Sequence, residues 1–136
     1  ALDKDGIAYK EYAIADTNEV QSVTTAAAGE CDVLYIPTDN TLASVTETVY
    51  NVVAPAKVPV IAGEEGICNG CGVATLSISY YDLGYATGEM AYEILAEGAD
   101  ITAMDVRYAP NVTKKYNAKI CEELGITVPD DYVAIQ

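Results

Sequence analysis

Short apolar runs that end in small polar residues, each leading into a helical pattern, recur along this chain and leave it few folds to adopt. The sharpest instance is Val33-Leu34-Tyr35-Ile36-Pro37-Thr38-Asp39-Asn40. Its first half has the β-branched and aromatic composition of a strand buried on both faces. Its second half supplies Thr38, Asp39 and Asn40, residue types whose side-chain oxygens accept unpaired backbone N–H groups at helix starts. A parallel strand running into a helix N-terminus places polar groups at the carboxyl edge of a sheet, where open α/β sheets bind ligands.

In chain order, 1–6 reads as the tail of a helix closed by Gly6. A strand is expected over 7–15, with Tyr9, Tyr12 and Ile14 supplying β propensity. Asp16-Thr17-Asn18 makes a polar turn, and Val20, Val23, Ala26 and Ala27 fall at helical spacing over 19–29, with Gly29 as the stop. A central strand follows over 32–36. Thr38 to Asn40 open a second helix to about residue 54, striped by Leu42, Val45, Val49 and Val52 and ended by Pro55. A third strand over 58–62 meets Gly63-Glu64-Glu65-Gly66, and 67–72 reads as a loop. A fourth strand over 73–79 ends at Ser79-Tyr80-Tyr81-Asp82. The helix over 83–97 carries Leu83, Ala86, Met90 and Ile94 on one face and stops at Gly98. A short fifth strand is expected over 104–108. Asn111 then caps a last helix to Leu124, with Tyr116, Ile120 and Cys121 on its stripe and Gly125 as its stop. Pro129 keeps the extended tail from regular pairing.

Strands alternating with helices of ~10–15 residues imply βαβ units, so the expected fold class is α/β, a mainly parallel sheet flanked by helices. The 136 residues suffice for one domain with a real core. Parallel crossovers return every strand in one direction and gather four polar turns, 16–18, 38–40, 63–66 and 79–82, along one edge. That edge is the expected ligand surface. Helix N-termini there offer N–H groups to a carboxylate, and acidic side chains can hold an ammonium group. Both ends of an amino acid can be satisfied this way. Helix caps are polar for structural reasons as well, so any one turn taken singly carries little functional weight.

Composition narrows the chemistry. Acidic residues outnumber basic ones by 21 to 7, a net charge of −14 that opposes nucleic acid and anionic membranes. The absence of His removes the commonest general base and metal ligand and leaves Ser77 and Ser79 without an activating partner. The reading is of a protein that is not an enzyme and needs neither cofactor nor metal. Cys68-Asn69-Gly70-Cys71 is a CxxC lacking the helix N-terminus that lowers a redox thiol's pKa. A disulfide, free thiols, or a zinc site with Cys31 and Cys121 all remain open there, although a second CxxC is missing. An alternative is a receiver-like or flavodoxin-like signalling domain with Asp39 as acceptor and Asp16 as a neighbouring acid. It lacks a Lys after the third or fourth strand. Asn111-Val112-Thr113 fits a glycosylation sequon, a pattern that arises readily by chance. Tyr108, Tyr116 and Tyr132 read as packing residues. No stretch approaches the ~20 apolar residues of a membrane-spanning helix. The chain begins without Met and is expected to be a piece of something longer.

The run Cys31-Asp32-Val33-Leu34-Tyr35-Ile36-Pro37-Thr38-Asp39-Asn40, then Val58-Pro59-Val60-Ile61-Ala62-Gly63-Glu64, then Ala74-Thr75-Leu76-Ser77-Ile78-Ser79-Tyr80-Tyr81-Asp82-Leu83-Gly84 and Thr87-Gly88, resembles the ABC-transporter substrate-binding protein family. Asn18-Glu19-Val20-Gln21 and Leu124-Gly125-Ile126-Thr127-Val128-Pro129 match further segments. The narrower likeness is to the tryptophan/tyrosine type with a type I periplasmic-binding-protein fold. The resemblance implies two α/β lobes joined by hinge strands, with a small solute held between them and passed to a membrane permease. It also implies an extracytoplasmic location, periplasmic or lipid-anchored at the outer face of a bacterial membrane. Residues 1–136 match the second lobe, with hinge crossovers near 77–82 and 104–110 and the first lobe absent. The first strand and most of the first helix of that lobe are expected to precede Ala1, the missing strand lying between 7–15 and 32–36. The helix over 83–97 would pack on the first lobe in such relatives. Its apolar face is therefore expected to be exposed here, and self-association through it is an accompanying expectation. By position, Thr38, Asp39, Asn40, Glu64, Ser79, Tyr80 and Asp82 match blocks that reach the cleft. Thr38 and Asn40 are expected to hydrogen-bond a ligand's polar end, Asp39 or Glu64 to neutralise an ammonium, and Tyr80 or Tyr81 to stack on an aromatic amino acid or similar solute.

Overall fold

Five strands pair in the order in which the chain makes them: β1 (Leu34–Ile36), β2 (Val60–Ala62), β3 (Ala74–Ile78), β4 (Val112–Tyr116) and β5 (Val133–Ala134). They belong to a computed structural model that describes residues 2–136. β1, β2 and β3 are parallel, β4 runs antiparallel to β3, and β5 is parallel to β4. The helices are α1 (Val20–Glu30), α2 (Asn40–Ala43), α3 (Thr46–Ala56), α4 (Glu65–Cys71), α5 (Tyr80–Leu95) and α6 (Ala118–Leu124). The architecture is thus the α/β arrangement, with a mainly parallel sheet, that the alternating pattern predicts. Leu2–Asp5 forms a 3-10 turn closed by Gly6 in the left-handed region, as the opening residues suggest; Ala1 lies outside the described residues.

The core joins α1, α3 and α4 to one face of β1 and β2. Val20, Val49, Val60 and Ile67 are fully buried there, each contributing about 1.5–3 kcal/mol over an exposed side chain. A second cluster, Val73, Ile120 and Cys121, holds α6. The opposite face of the sheet leaves Tyr35, Ile61, Leu76 and Ile78 uncovered. β1 is therefore not the central, doubly buried strand expected. It is an edge strand whose Tyr35 is 69% exposed, with no partner strand on its outer side among the described residues.

Several expected elements take other forms. Residues 7–15 are extended but join no sheet. Side chains of α1 and the residue before it hold them instead: Lys10 and Tyr12 bond Glu30, and the Ala15 N–H donates to Glu19 Oε2 at 3.0 Å. Gly29 does not stop α1, which runs on to Glu30. The helix expected from Thr38 to residue 54 divides, because Val45 at φ −134° leaves helical geometry and α3 starts afresh at Thr46. Pro55 does not end α3 but lies within its last turn. Its missing N–H falls opposite the carbonyl of exposed Asn51, where solvent serves instead, and Lys57 in the left-handed region closes the helix.

Residues 67–71 are not a loop but most of α4. Gly66 and Gly70 weaken its intrinsic propensity, and burial of Ile67, Cys68 and Cys71 overrides that. Gly70 is required by packing, since a Cβ there would stand 2.2 Å from Thr46 Oγ1. No strand forms over 104–108, because β4 already occupies the free side of β3. Tyr108, expected to pack, is 85% exposed. Asn111 caps nothing helical: Val112–Tyr116 is β4, and Asn117 starts α6 by accepting the Ile120 N–H at 3.2 Å. The tail does pair, as β5, because Pro129 precedes it in a turn and costs the ladder no donor.

Candidate functional site

Three of the four expected polar turns stand at the carboxyl ends of β1, β2 and β3, which are parallel neighbours. The fourth, Asp16–Asn18, keeps its turn geometry, with Asp16 Oδ1 accepting the Asn18 N–H at 2.8 Å, but follows coil rather than a strand.

After β1, Thr38, Asp39 and Asn40 are all exposed. Asp39 caps α2 by accepting the Leu42 N–H on Oδ1 at 2.8 Å. The Thr38 hydroxyl donates to the Gly63 carbonyl at 3.2 Å, joining the first turn to the second. The Gly63 N–H in turn donates to the Ile36 carbonyl at 2.7 Å. The backbones approach so closely here that only glycine fits at 63.

After β2, Glu64 caps α4 with both carboxylate oxygens, Oε2 taking the Gly66 N–H at 2.7 Å and Oε1 the Ile67 N–H. Its neighbour Glu65 turns toward the sheet. There it accepts from Lys115 Nζ at 2.7 Å and from the Ser77 hydroxyl at 2.9 Å. The Lys115 ammonium, with help from Ser77, holds the Glu65 carboxyl below the usual carboxylate range against the opposing effect of burial. Thr75 lies opposite Lys115 in the β3–β4 register, and its buried hydroxyl has no hydrogen-bond partner among the described residues.

After β3, Ser79 caps α5 by accepting the Asp82 N–H at 3.1 Å. Tyr80 and Tyr81 occupy the first turn of α5 with their rings exposed. Asp82 is half-buried, and Asn111 Nδ2 approaches its Oδ2 at 3.5 Å. A groove of about 440 Å³ runs on from there between α5 and the segment before β4, where Tyr85, Glu89, Arg107 and Tyr108 join Asp82 and Asn111. Arg107 is engaged in it, donating to both carboxylate oxygens of Glu93 at 2.6 and 2.8 Å.

All eight expected site residues thus lie at strand ends, and the hydrogen bonds tie the first turn to the second and the second to β3. The structure adds Glu65, Ser77 and Lys115. Only Glu65 carried a signal, its place inside a polar turn; nothing local marks Ser77 or Lys115. The four cysteines are free thiols, and burial pushes Cys68 and Cys71 up to about 12, so neither is a thiolate at neutral pH. Among the described residues no group of His, Cys, Asp and Glu is arranged to hold a metal, and no helix is long and apolar enough to cross a membrane.

Residues 1–135 match the family described as ABC transporter substrate binding protein. A curated relative, the tyrosine-binding protein of Clostridioides difficile (strain R20291), is 40% identical over 91 residues, which cover 67% of this chain and 26% of the relative. Among solved structures, the chain is similar to a Streptococcus pneumonia ABC domain in complex with L-Trp, at a TM-score of 0.80 and 33% identity, covering 94% of this chain and 43% of that one. It is also similar to a ligand-free, open substrate binding protein with adhesive properties from Clostridium difficile, at a TM-score of 0.75 and 35% identity. A conserved domain protein from Vibrio cholerae O1 gives a TM-score of 0.83 at 31% identity. In both cases 99% of this chain covers 47% of the other. The chain therefore spans less than half the length of the relatives it matches.

Proposed function

Because this chain belongs to the ABC transporter substrate binding protein family, we propose that it is the carboxyl-terminal lobe of a two-lobe solute-binding protein and supplies one wall of an amino-acid site. The observation that carries this reading is the joining of the turns after β1 and β2 by the Thr38–Gly63 hydrogen bond, beside the capped start of α5. Asp39 is the better partner for a ligand ammonium, since its cap uses Oδ1 whereas Glu64 commits both oxygens to backbone N–H groups. Thr38 and Asn40 hydrogen-bond the ligand's polar end. Tyr80 or Tyr81 stacks on an aromatic side chain, worth about 0.5–1.5 kcal/mol beyond burial. The ligand is an aromatic amino acid, in keeping with the tyrosine-binding relative and the neighbour solved with L-Trp.

Two surfaces support the one-lobe reading. α5 is a 16-residue helix with no buried side chain, and Tyr81, Tyr85, Tyr92 and Leu95 line it at helical spacing. The uncovered apolar face of the sheet is a second such surface. Both suit coverage by further protein, the other lobe or, in its absence, a second copy. In this reading the hinge crossovers lie near 77–82 and 104–110. Ligand touches both lobes only when they close, and so shifts the population toward the closed form. The whole protein acts outside the cytoplasm, periplasmic or lipid-anchored, and delivers its solute to an ABC permease for import without chemistry on it.

Calorimetric titration of the full-length gene product with L-tyrosine and L-tryptophan, alongside residues 1–136 alone, tests this. Tight binding by the former and weak or absent binding by the latter is expected. Indifference of the full-length product to every amino acid overturns the ligand assignment. Equally tight binding by residues 1–136 overturns the two-lobe site.

A further inference from the structure

Two residues of β4 and its continuation hold both ends of α4. Lys115 grips the first turn of the helix through Glu65 at 2.7 Å. Asn117, two residues on and so on the same face of the strand, donates from Nδ2 to the carbonyls of Asn69 at 2.9 Å and Cys68 at 3.3 Å in the last turn. Between these grips, α4 is seven residues long and contains two glycines, so its place depends on its buried side chains and on these two grips rather than on propensity.

The helix start matters because of what adjoins it. Glu64, the cap, immediately precedes Glu65, and Gly63 before it accepts from Thr38. A displacement of the first turn of α4 therefore passes through two residues to the turn that carries Asp39. We propose that Lys115 is a positioning residue for ligand binding. It touches no ligand itself and fixes the turns after β1 and β2 relative to each other by anchoring Glu65, with Ser77 as the second donor. This deepens the amino-acid-site reading and rests on it.

The groups facing Lys115 are consistent with that role. Glu65 is its only carboxylate partner among the described residues, and the Ser77 hydroxyl shares the same oxygen, Oε2. The pair is partly shielded, with the Lys115 side chain 28% and that of Glu65 39% exposed. Arginine offers the same charge with more donors at this spot, whereas methionine keeps the stem and loses the grip.

The test compares wild type, Lys115→Met, Lys115→Arg and Ser77→Ala in the full-length gene product, titrated with L-tyrosine and L-tryptophan. Amide hydrogen exchange is followed at Gly66 and Ile67. Lys115→Met is expected to weaken binding about tenfold, the scale on which a loosened supporting shell acts. Exchange at Gly66 and Ile67 should speed up while the amides of α1 stay protected. Lys115→Arg should restore both readouts, and Ser77→Ala should shift both the same way by less. Wild-type affinity and exchange in Lys115→Met overturn the proposal, as does faster exchange without loss of affinity. Should Lys115→Met fail to fold, Ser77→Ala decides by the same criteria. A wild type that binds neither amino acid overturns the ligand reading, and unchanged Gly66 and Ile67 exchange in Lys115→Met separately overturns the anchoring.

Discussion

Gly63 meets Thr38 so closely that a Cβ added at 63 would stand 2.6 Å from the Thr38 nitrogen and 2.8 Å from the Pro37 carbonyl carbon. Both atoms belong to the backbone, so no side-chain rotation relieves the clash. Gly63→Ala must push the turns after β1 and β2 apart, at a cost of about 1–3 kcal/mol, the range for overpacking a tight site. Urea unfolding should show the loss, and titration with L-tyrosine should show weakened binding. An alanine variant as stable as wild type would mean that the two turns part freely.

Asp39 has two roles that a pair of substitutions separates. Asparagine caps helices about as well as aspartate, while alanine loses about 1 kcal/mol. Asp39→Asn should therefore unfold like wild type, and Asp39→Ala should be measurably weaker. If the carboxylate neutralises a ligand ammonium, both variants lose affinity for L-tyrosine. Calorimetry that finds wild-type affinity in Asp39→Asn leaves Asp39 a cap alone.

The buried Thr75 hydroxyl lacks a partner among the described residues, and an unsatisfied buried polar group costs about 1–3 kcal/mol. Valine has nearly the same shape without that group. Thr75→Val should raise the urea midpoint, by about 1 kcal/mol in stability. A lower midpoint would show that the hydroxyl is bonded in solution.

The buried thiols set an alkaline limit. Cys68 and Cys71 are pushed up to about 12, chiefly by burial, so they stay neutral in the folded chain. Unfolded thiols ionise from about pH 8.5. Above that pH the unfolded state gains by releasing protons that the folded state retains, so stability present at pH 7 falls through the range 8.5 to 12. Melting temperature at pH 7 and pH 10 measures it, and Cys71→Ala should flatten the dependence. Ellman's reagent should label half-buried Cys31 first and reach Cys68, Cys71 and Cys121 only in denaturant.

The parts legible in the sequence are those decided locally. Asp39 is a cap residue on chemical grounds and is a cap; Glu64 and Ser79 read only as parts of polar turns, and each also caps a helix. Gly125 is expected to stop a helix and does so in the left-handed region, whereas α5 ends at Leu95, three residues before Gly98. The strands β2 and β3 follow from compact apolar runs. What escaped depends on partners distant in the chain. Val112-Thr-Lys-Lys-Tyr has no core-facing alternation to mark a strand, yet it pairs with β3 over five residues. Met104 to Tyr108 has the better composition, but β4 takes the side of β3 that it would join. Residues 7–15 have β propensity but no adjacent ladder. α4 looks like a loop because of its glycines, and one of those exists to admit Thr46. At the site, strand ends and caps were visible from residue types. The Lys115–Glu65–Ser77 contact spans 50 residues from lysine to carboxylate, and no local pattern announces it.

The unbroken order β1-β2-β3-β4-β5 has a bearing on how the fold is made. Each strand pairs with the one synthesised just before it, so the sheet can grow by accretion in the order in which the chain is made. The parallel strands and the turns after them come first. Lys115 emerges 50 residues behind Glu65, after the turns that follow β1, β2 and β3 have been made.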